Sequence, residues 1–145
     1  MTLKNLLGIS LDKVQADKAL VARLLAAAQR NIVDAQLPGL SAENRFDASY
    51  KANMQLAMLA LNANGYRTLT SKPGHHQTAI RSLVLSVGVS RETVIVLDAL
   101  RKQRNLSDYT GDLITDNAAA ECLASARDLL THVGAWLKRH RPDLL

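Results

Sequence analysis

Cysteine occurs once in this 145-residue chain, as Cys122. A single thiol excludes an internal disulfide and a cysteine-based zinc site. Its setting, Ala-Glu-Cys-Leu-Ala, reads as a small apolar helix residue in a reducing compartment. Aromatic residues make up only 3%, with 7 Gly and 3 Pro, too few strand and turn formers for a β-sandwich. Long apolar runs are also missing. The most apolar stretch, residues 19–28, contains Arg23 and is too short to span a bilayer. The N-terminal residues lack the apolar core of a signal peptide. These absences predict a cytoplasmic protein without a membrane segment. No Gly-rich phosphate loop, zinc box or nucleophile elbow occurs, so no cofactor and no metal site is expected.

What remains is a helix-forming composition. Hydrophobic residues are 48% and charged residues 21%, with abundant Ala and Leu. One domain over residues 1–145, with its core over about 10–140, is expected. A chain of this size buries roughly two thirds of its unfolded surface and folds without a staple.

Helical periodicity runs through most of the sequence. Val14, Val21, Leu25, Ala28, Ile32 and Ala35 form one stripe, which predicts a first helix over residues 11–37. Leu20, Leu24 and Ala27 widen it, and Pro38-Gly39 ends it. Ser41 and Glu43 open a second helix with the stripe Phe46, Tyr50, Met54, Ala57 and Leu61, closed by Asn64-Gly65. Residues 66–74 read as a loop. A short third helix is expected over residues 76–87, closed by Gly88. Ser90 and Glu92 start a fourth, ending near Asn105 in a polar loop around Tyr109. A last long helix begins near Thr115 with the stripe Ala119, Leu123, Ala126, Leu130, Val133 and Leu137, and stops at Pro142. The pattern predicts an all-α antiparallel bundle of four to five helices.

The net charge is +5. Residues 66–111 hold 7 basic and 3 acidic groups, whereas residues 112–145 hold 4 and 5. Excess positive charge in the middle of the chain permits a polyanionic partner. Arg104 falls there, on the stripe of Leu97 and Leu100 that faces the bundle. A guanidinium in that position needs a carboxylate, water or an anion, unless its stem packs and its head escapes to solvent. Arg101 and Lys102 precede it, either as a solvated helix face or as an electrostatic guide. His75 and His76 follow Gly74 at a helix start. They are either solvated or phosphate contacts, and adjacent histidines chelate one metal poorly.

The run Arg104-Asn105-Leu106-Ser107-Asp108-Tyr109 resembles the terminal motif of HEPN domains, helical bundles named as higher eukaryotes and prokaryotes nucleotide-binding. The segment from Arg45 to Gly65, followed by Gly74-His75-His76, is also similar to small bacterial HEPN proteins. The resemblance covers roughly residues 10–140. It implies metal-independent RNase chemistry, often in toxin–antitoxin systems or antiviral defence, and a homodimer that brings two motifs into one cleft. Arg104, Asn105 and Tyr109 would be the catalytic residues. Arg101, Lys102, Arg104, His75 and His76 would contact RNA, and Asp108 would tether Arg104.

The family's motif histidine is replaced by Tyr109. A phenol near pKa 10 is a poor base at neutral pH, whereas an imidazole near 6.5 is a good one. The resemblance therefore implies RNA binding with weak or absent cleavage. A catalytically silent module that pairs with an antitoxin or a nucleotidyltransferase is the alternative. A second Arg-x4-His run, Arg127 to His132, lies within the last helix, where a five-residue step turns the side chains roughly 140° apart. Asn53, Asn62 and Asn64 carry no role readable from their spacing.

Overall fold

The computed structural model describes residues 1–111 and 113–145 and shows an all-α bundle with a two-stranded ribbon at one end. The helices are α1 (Lys18–Asp34), α2 (Ala42–Ala63), α3 (His75–Arg81), α4 (Leu83–Ser86), α5 (Arg91–Thr110) and α6 (Asp116–His140). The strands are β1 (Leu11–Lys13) and β2 (Tyr66–Thr68), and short 3-10 turns occupy Leu3–Leu6 and Pro142–Leu144. Among the described residues no helix is long and apolar enough to cross a membrane.

Helix α2 is the centre of the bundle. Alanines at 52, 57, 60 and 63 let neighbours approach closely, and Phe46, Leu56, Leu59 and Leu61 fill the space between. α1 and α6 pack along it, α1 through Val21, Ala28 and Ile32, α6 through Cys122, Ala126, Leu129, Val133 and Leu137. The expected α6 stripe shifts by one position in two places, since Cys122 and Leu129 are buried while Leu123 and Leu130 are half-buried. Burial pushes the Cys122 thiol up to about 12, against the pull of a hydrogen bond from Asn53, so it stays protonated.

The start of the chain departs from the expected helix. Residues 11–13 form β1, antiparallel to β2, with Leu11 opposite Thr68, Asp12 opposite Arg67 and Lys13 opposite Tyr66. Leu11 and Thr68 are buried, and Arg67 pairs with Asp12 at 3.0 Å on the outer side. The ribbon thus takes part of the stretch expected as a loop. Val14 donates its backbone N–H to the Gly65 carbonyl at 2.9 Å. Gly65 has φ +86, and a Cβ there would lie 3.3 Å from the Val14 carbonyl oxygen, so the crossing requires glycine. α1 begins only at Lys18, where Asp17 accepts from the Ala19 and Leu20 N–H groups.

Three further boundaries differ. α1 stops at Asp34, short of the expected end at residue 37. The expected third helix is broken at Ser82, whose hydroxyl donates to the Ala79 carbonyl at 2.9 Å and competes with the ladder. The fourth extends five residues past Asn105, to Thr110, and ends on left-handed Gly111. Tyr109 is therefore on helix α5 and not in a loop. The caps at Ser41, Ser90 and Thr115 each accept the expected backbone N–H.

The asparagines along α2 and at its C-cap act as internal ties. The Asp17 N–H donates to Asn62 Oδ1 at 2.9 Å, which fixes the start of α1 against the end of α2. Asn64 Nδ2 donates to the carbonyls of Ala60 and Ser86, at 2.8 and 3.0 Å, and so holds the end of α4. Asn53 donates to the Cys122 carbonyl at 3.4 Å. Asn62→Ala should cost about 1–3 kcal/mol, because it strands a backbone donor. Asn44→Ala, on the exposed side of α2, should stay within about 0.5 kcal/mol. Urea denaturation of both variants checks the contrast.

Candidate nucleic-acid interface

Helix α5 brings most of the sequence-selected residues to one end of the bundle. Arg101, Arg104 and Asp108 lie in one row at three- and four-residue steps, and Lys102, Asn105 and Tyr109 form the adjacent row. Arg104 and Tyr109 are five residues apart on one helix, so their side chains leave it roughly 140° apart. They nevertheless border one shallow cavity of about 380 Å³ with Gly74, His75, His76, Gln77, Arg101 and Asn105. Tyr109 stands at its rim, 90% exposed.

Arg104 is the pivot. Its guanidinium lies over the Tyr50 ring, 4.9 Å from the centroid. Among the described residues Arg104 makes no hydrogen bond or ion pair, and it lines the cleft. Asp108 is exposed and forms no ion pair with it. The neighbouring cations are differently engaged. Arg101 donates to Asp98 at 2.9 Å, and Lys102 reaches the same carboxylate at 3.6 Å. Burial pushes the Asp98 carboxyl up. The Arg101 hydrogen bond and the charges of Arg101, Lys102 and Arg81 outweigh it and hold the pKa below the ordinary value. Arg104 is thus the arginine of the cleft whose donors are left for a ligand.

Tyr50 connects this arginine to His76. Its ring stacks in parallel with Phe46 at 6.4 Å, and its hydroxyl lies 3.2 Å from His76 Nδ1. Burial pushes the phenol up, against the pull of Arg104 and Arg101, so Tyr50 stays neutral. The His75 ring meets that of His76 edge to face at 4.8 Å. Burial, then the charges of His75, Arg104 and Arg101, lower the His76 pKa below 6.5. Asp47 lies on the opposite flank. Burial raises its pKa, helped by Asp108 and Glu43 and opposed by Arg104.

A second cavity, of about 470 Å³, adjoins the first across Arg104 and His76. Leu24, Asp47, Tyr50, Lys51, Met54, Gln55 and Met58 complete its wall. The sequence pattern placed Tyr50 and Met54 in the core stripe. Both are buried, and both also floor the cleft. The one hydroxyl-bearing residue in an otherwise apolar stripe was the available signal. Arg127 and His132 go elsewhere. Arg127 donates to Gln36, and His132 Nε2 lies 2.6 Å from the Val87 carbonyl oxygen. Lys138, Arg139 and His140 close the last turn of α6, where positive charge suits the helix dipole. Among the described residues no group of three His, Cys, Asp or Glu side chains is arranged to hold a metal ion.

In comparisons with protein-family models, with curated proteins and with solved structures, no match to the chain was found.

The His76 environment has a measurable consequence. Its neutral form is favoured in the folded protein, so the unfolded chain takes up a proton first as pH falls through about 6.5. The stability contributed by this group is complete above that pH and lost below it. A His76 NMR titration should give a midpoint under 6.5, moving upward in Arg104→Ala as a repelling charge is removed. A midpoint at or above 6.5 in the unaltered protein would contradict the described packing.

Proposed function

We propose that this protein binds RNA through the cleft around Arg104, as a HEPN-like bundle acting in the cytoplasm. The observation that carries the reading is the guanidinium of Arg104, stacked on Tyr50 with its donors unused, in a cleft shared with His75, His76 and Arg101. A positioned guanidinium offers a phosphate paired donors, and two imidazoles add hydrogen bonds that strengthen when protonated. Tyr109, exposed at the rim, offers a flat face on which an unpaired base stacks. Asn105 lines the same cavity with an amide. The resemblance in the motif supports a toxin–antitoxin or defence role, with Tyr109 leaving metal-independent cleavage weak or absent.

The test is binding and metal-free cleavage of single-stranded RNA measured together. Arg104→Ala should weaken binding by about tenfold or more, whereas Arg139→Ala, which removes one mobile surface charge, should change it less than threefold. Affinity should fall as salt rises, because neutralised phosphates release counterions. Equal affinities for Arg104→Ala and the unaltered protein at low salt would remove the phosphate-site reading.

A second reading, a module for protein partners, is favoured by the outer face of α5. Ile95, Ala99 and Leu106 share one side of that helix and are exposed, with Val96 beside them. Only Leu97 and Leu100 of α5 are buried. A second copy of the chain, an antitoxin or a nucleotidyltransferase would cover such a face. Light scattering at tens of micromolar should give twice the 15.8 kDa chain mass. Ile95→Glu should return the particle to one chain. A single-chain mass in the unaltered protein would count against self-association.

A further inference from the structure

The larger cavity is more than a phosphate needs. At about 470 Å³ it falls within the roughly 300–1,000 Å³ range of small-molecule sites. Its two ends differ chemically. Arg104 and His76, with the Asp47 carboxylate within reach of the Arg104 charge, close one end, while Leu24 from α1 and Met54 and Met58 from α2 form the apolar body. Tyr50, Met54 and Met58 follow one another by single turns, about 6 Å each along the helix. A phosphate held by Arg104 above Tyr50 therefore places the group attached to it against the two methionines. Thioethers are polarizable and adapt to the edge and face of an aromatic ring.

Gln55 supplies a polar edge beside this apolar floor. Its Oε1 accepts from Asn31 Nδ2 at 2.9 Å, which orients the amide. Among the described residues its Nε2 makes no hydrogen bond. The amide thus offers N–H donors next to the remaining lone pair of Oε1, the complement of a nucleobase edge. An anion-binding end, a flat apolar body and a paired donor and acceptor match the parts of a nucleotide.

We propose that the Met54–Met58 half of the cleft is a nucleobase subsite, taking the base of the ribonucleotide whose phosphate Arg104 holds. This rests on the phosphate-site reading and adds base recognition to it. The ligand is a ribonucleotide, either free or as one residue of an unpaired strand.

Methionine methyl NMR tests it directly, because Met1, Met54 and Met58 are the three methionines of the chain. Adenosine 5′-monophosphate should shift the Met54 and Met58 methyl signals by ring current, leave Met1 unmoved, and bind at least tenfold tighter than ribose 5-phosphate. Ribose 5-phosphate should move the His76 signals and not those of the methionines. In Gln55→Ala the affinity ratio of the two ligands should fall below threefold, while Arg104→Ala weakens both ligands alike. A five-residue oligoadenylate that binds tighter than the mononucleotide assigns the subsite to a strand, and equal affinity assigns it to a free nucleotide. Equal binding of ribose 5-phosphate and adenosine 5′-monophosphate, with Met54 and Met58 unmoved, would overturn the base subsite and leave the phosphate site standing. No shift at His76 with either ligand would overturn both. An undiminished ratio in Gln55→Ala would overturn the assignment of that amide.

Discussion

Enclosure of α2 is the constraint on which the other elements depend. A helix surrounded on most sides must be apolar or small nearly all round, and each polar group it buries needs a partner. Leu56, Leu59 and Leu61 meet the first demand. Asn62 and the C-cap Asn64 meet the second by binding the backbone of neighbouring segments, while among the described residues Asn53 Oδ1 and Arg45 Nε stay without a hydrogen-bond partner. The Asn62 and Asn64 amides bind the start of α1 and the end of α4. The central helix therefore holds its surroundings through polar contacts as well as through apolar packing.

The cleft is a consequence of how α2 meets α1, α3 and α5. Near Tyr50 the wall opens, and α3 and α5 bring His76 and Arg104 to the gap. Tyr50 faces two ways. Its ring packs on Phe46 within the bundle, while its hydroxyl and its ring face meet His76 and Arg104. A neutral phenol between a neutral imidazole and a guanidinium orders both without discharging either. Asp98, by contrast, occupies Arg101 and Lys102. Among the described residues the local charge is divided between Arg101 and Lys102, engaged by Asp98, and Arg104 and Lys51, which form no ion pair. That division, more than net charge, distinguishes a ligand site from a solvated helix face.

Helix α5 combines two features. Its inner side carries Arg104, while its outer side exposes Ile95 and Leu106. Few of its residues are buried, so little of its stability comes from the core. A partner on the outer face and a ligand in the cleft would act on the same helix.

The all-α class, the central stripe of α2 and the caps at Ser41, Ser90 and Thr115 were legible in the sequence, because periodicity and capping act within a few residues. Arg104 also stood out, as a charge on an apolar stripe. His75 and His76 drew notice as the start of a helix, although their setting comes from Tyr50 and α5. The β1–β2 ribbon was not legible, since its pairing joins residues 53 to 57 positions apart and Leu11 and Val14 also fit a helical period. Nor did spacing show the break at Ser82 or the continuation of α5 through Tyr109, where neighbouring hydrogen bonds decide. Least legible was the meeting of Tyr50, His76 and Arg104 from three separate helices. Local pattern determined which segments coil and which face turns inward. Only tertiary packing decided which half-buried polar groups share a cavity, because that depends on distances between helices that no single segment encodes.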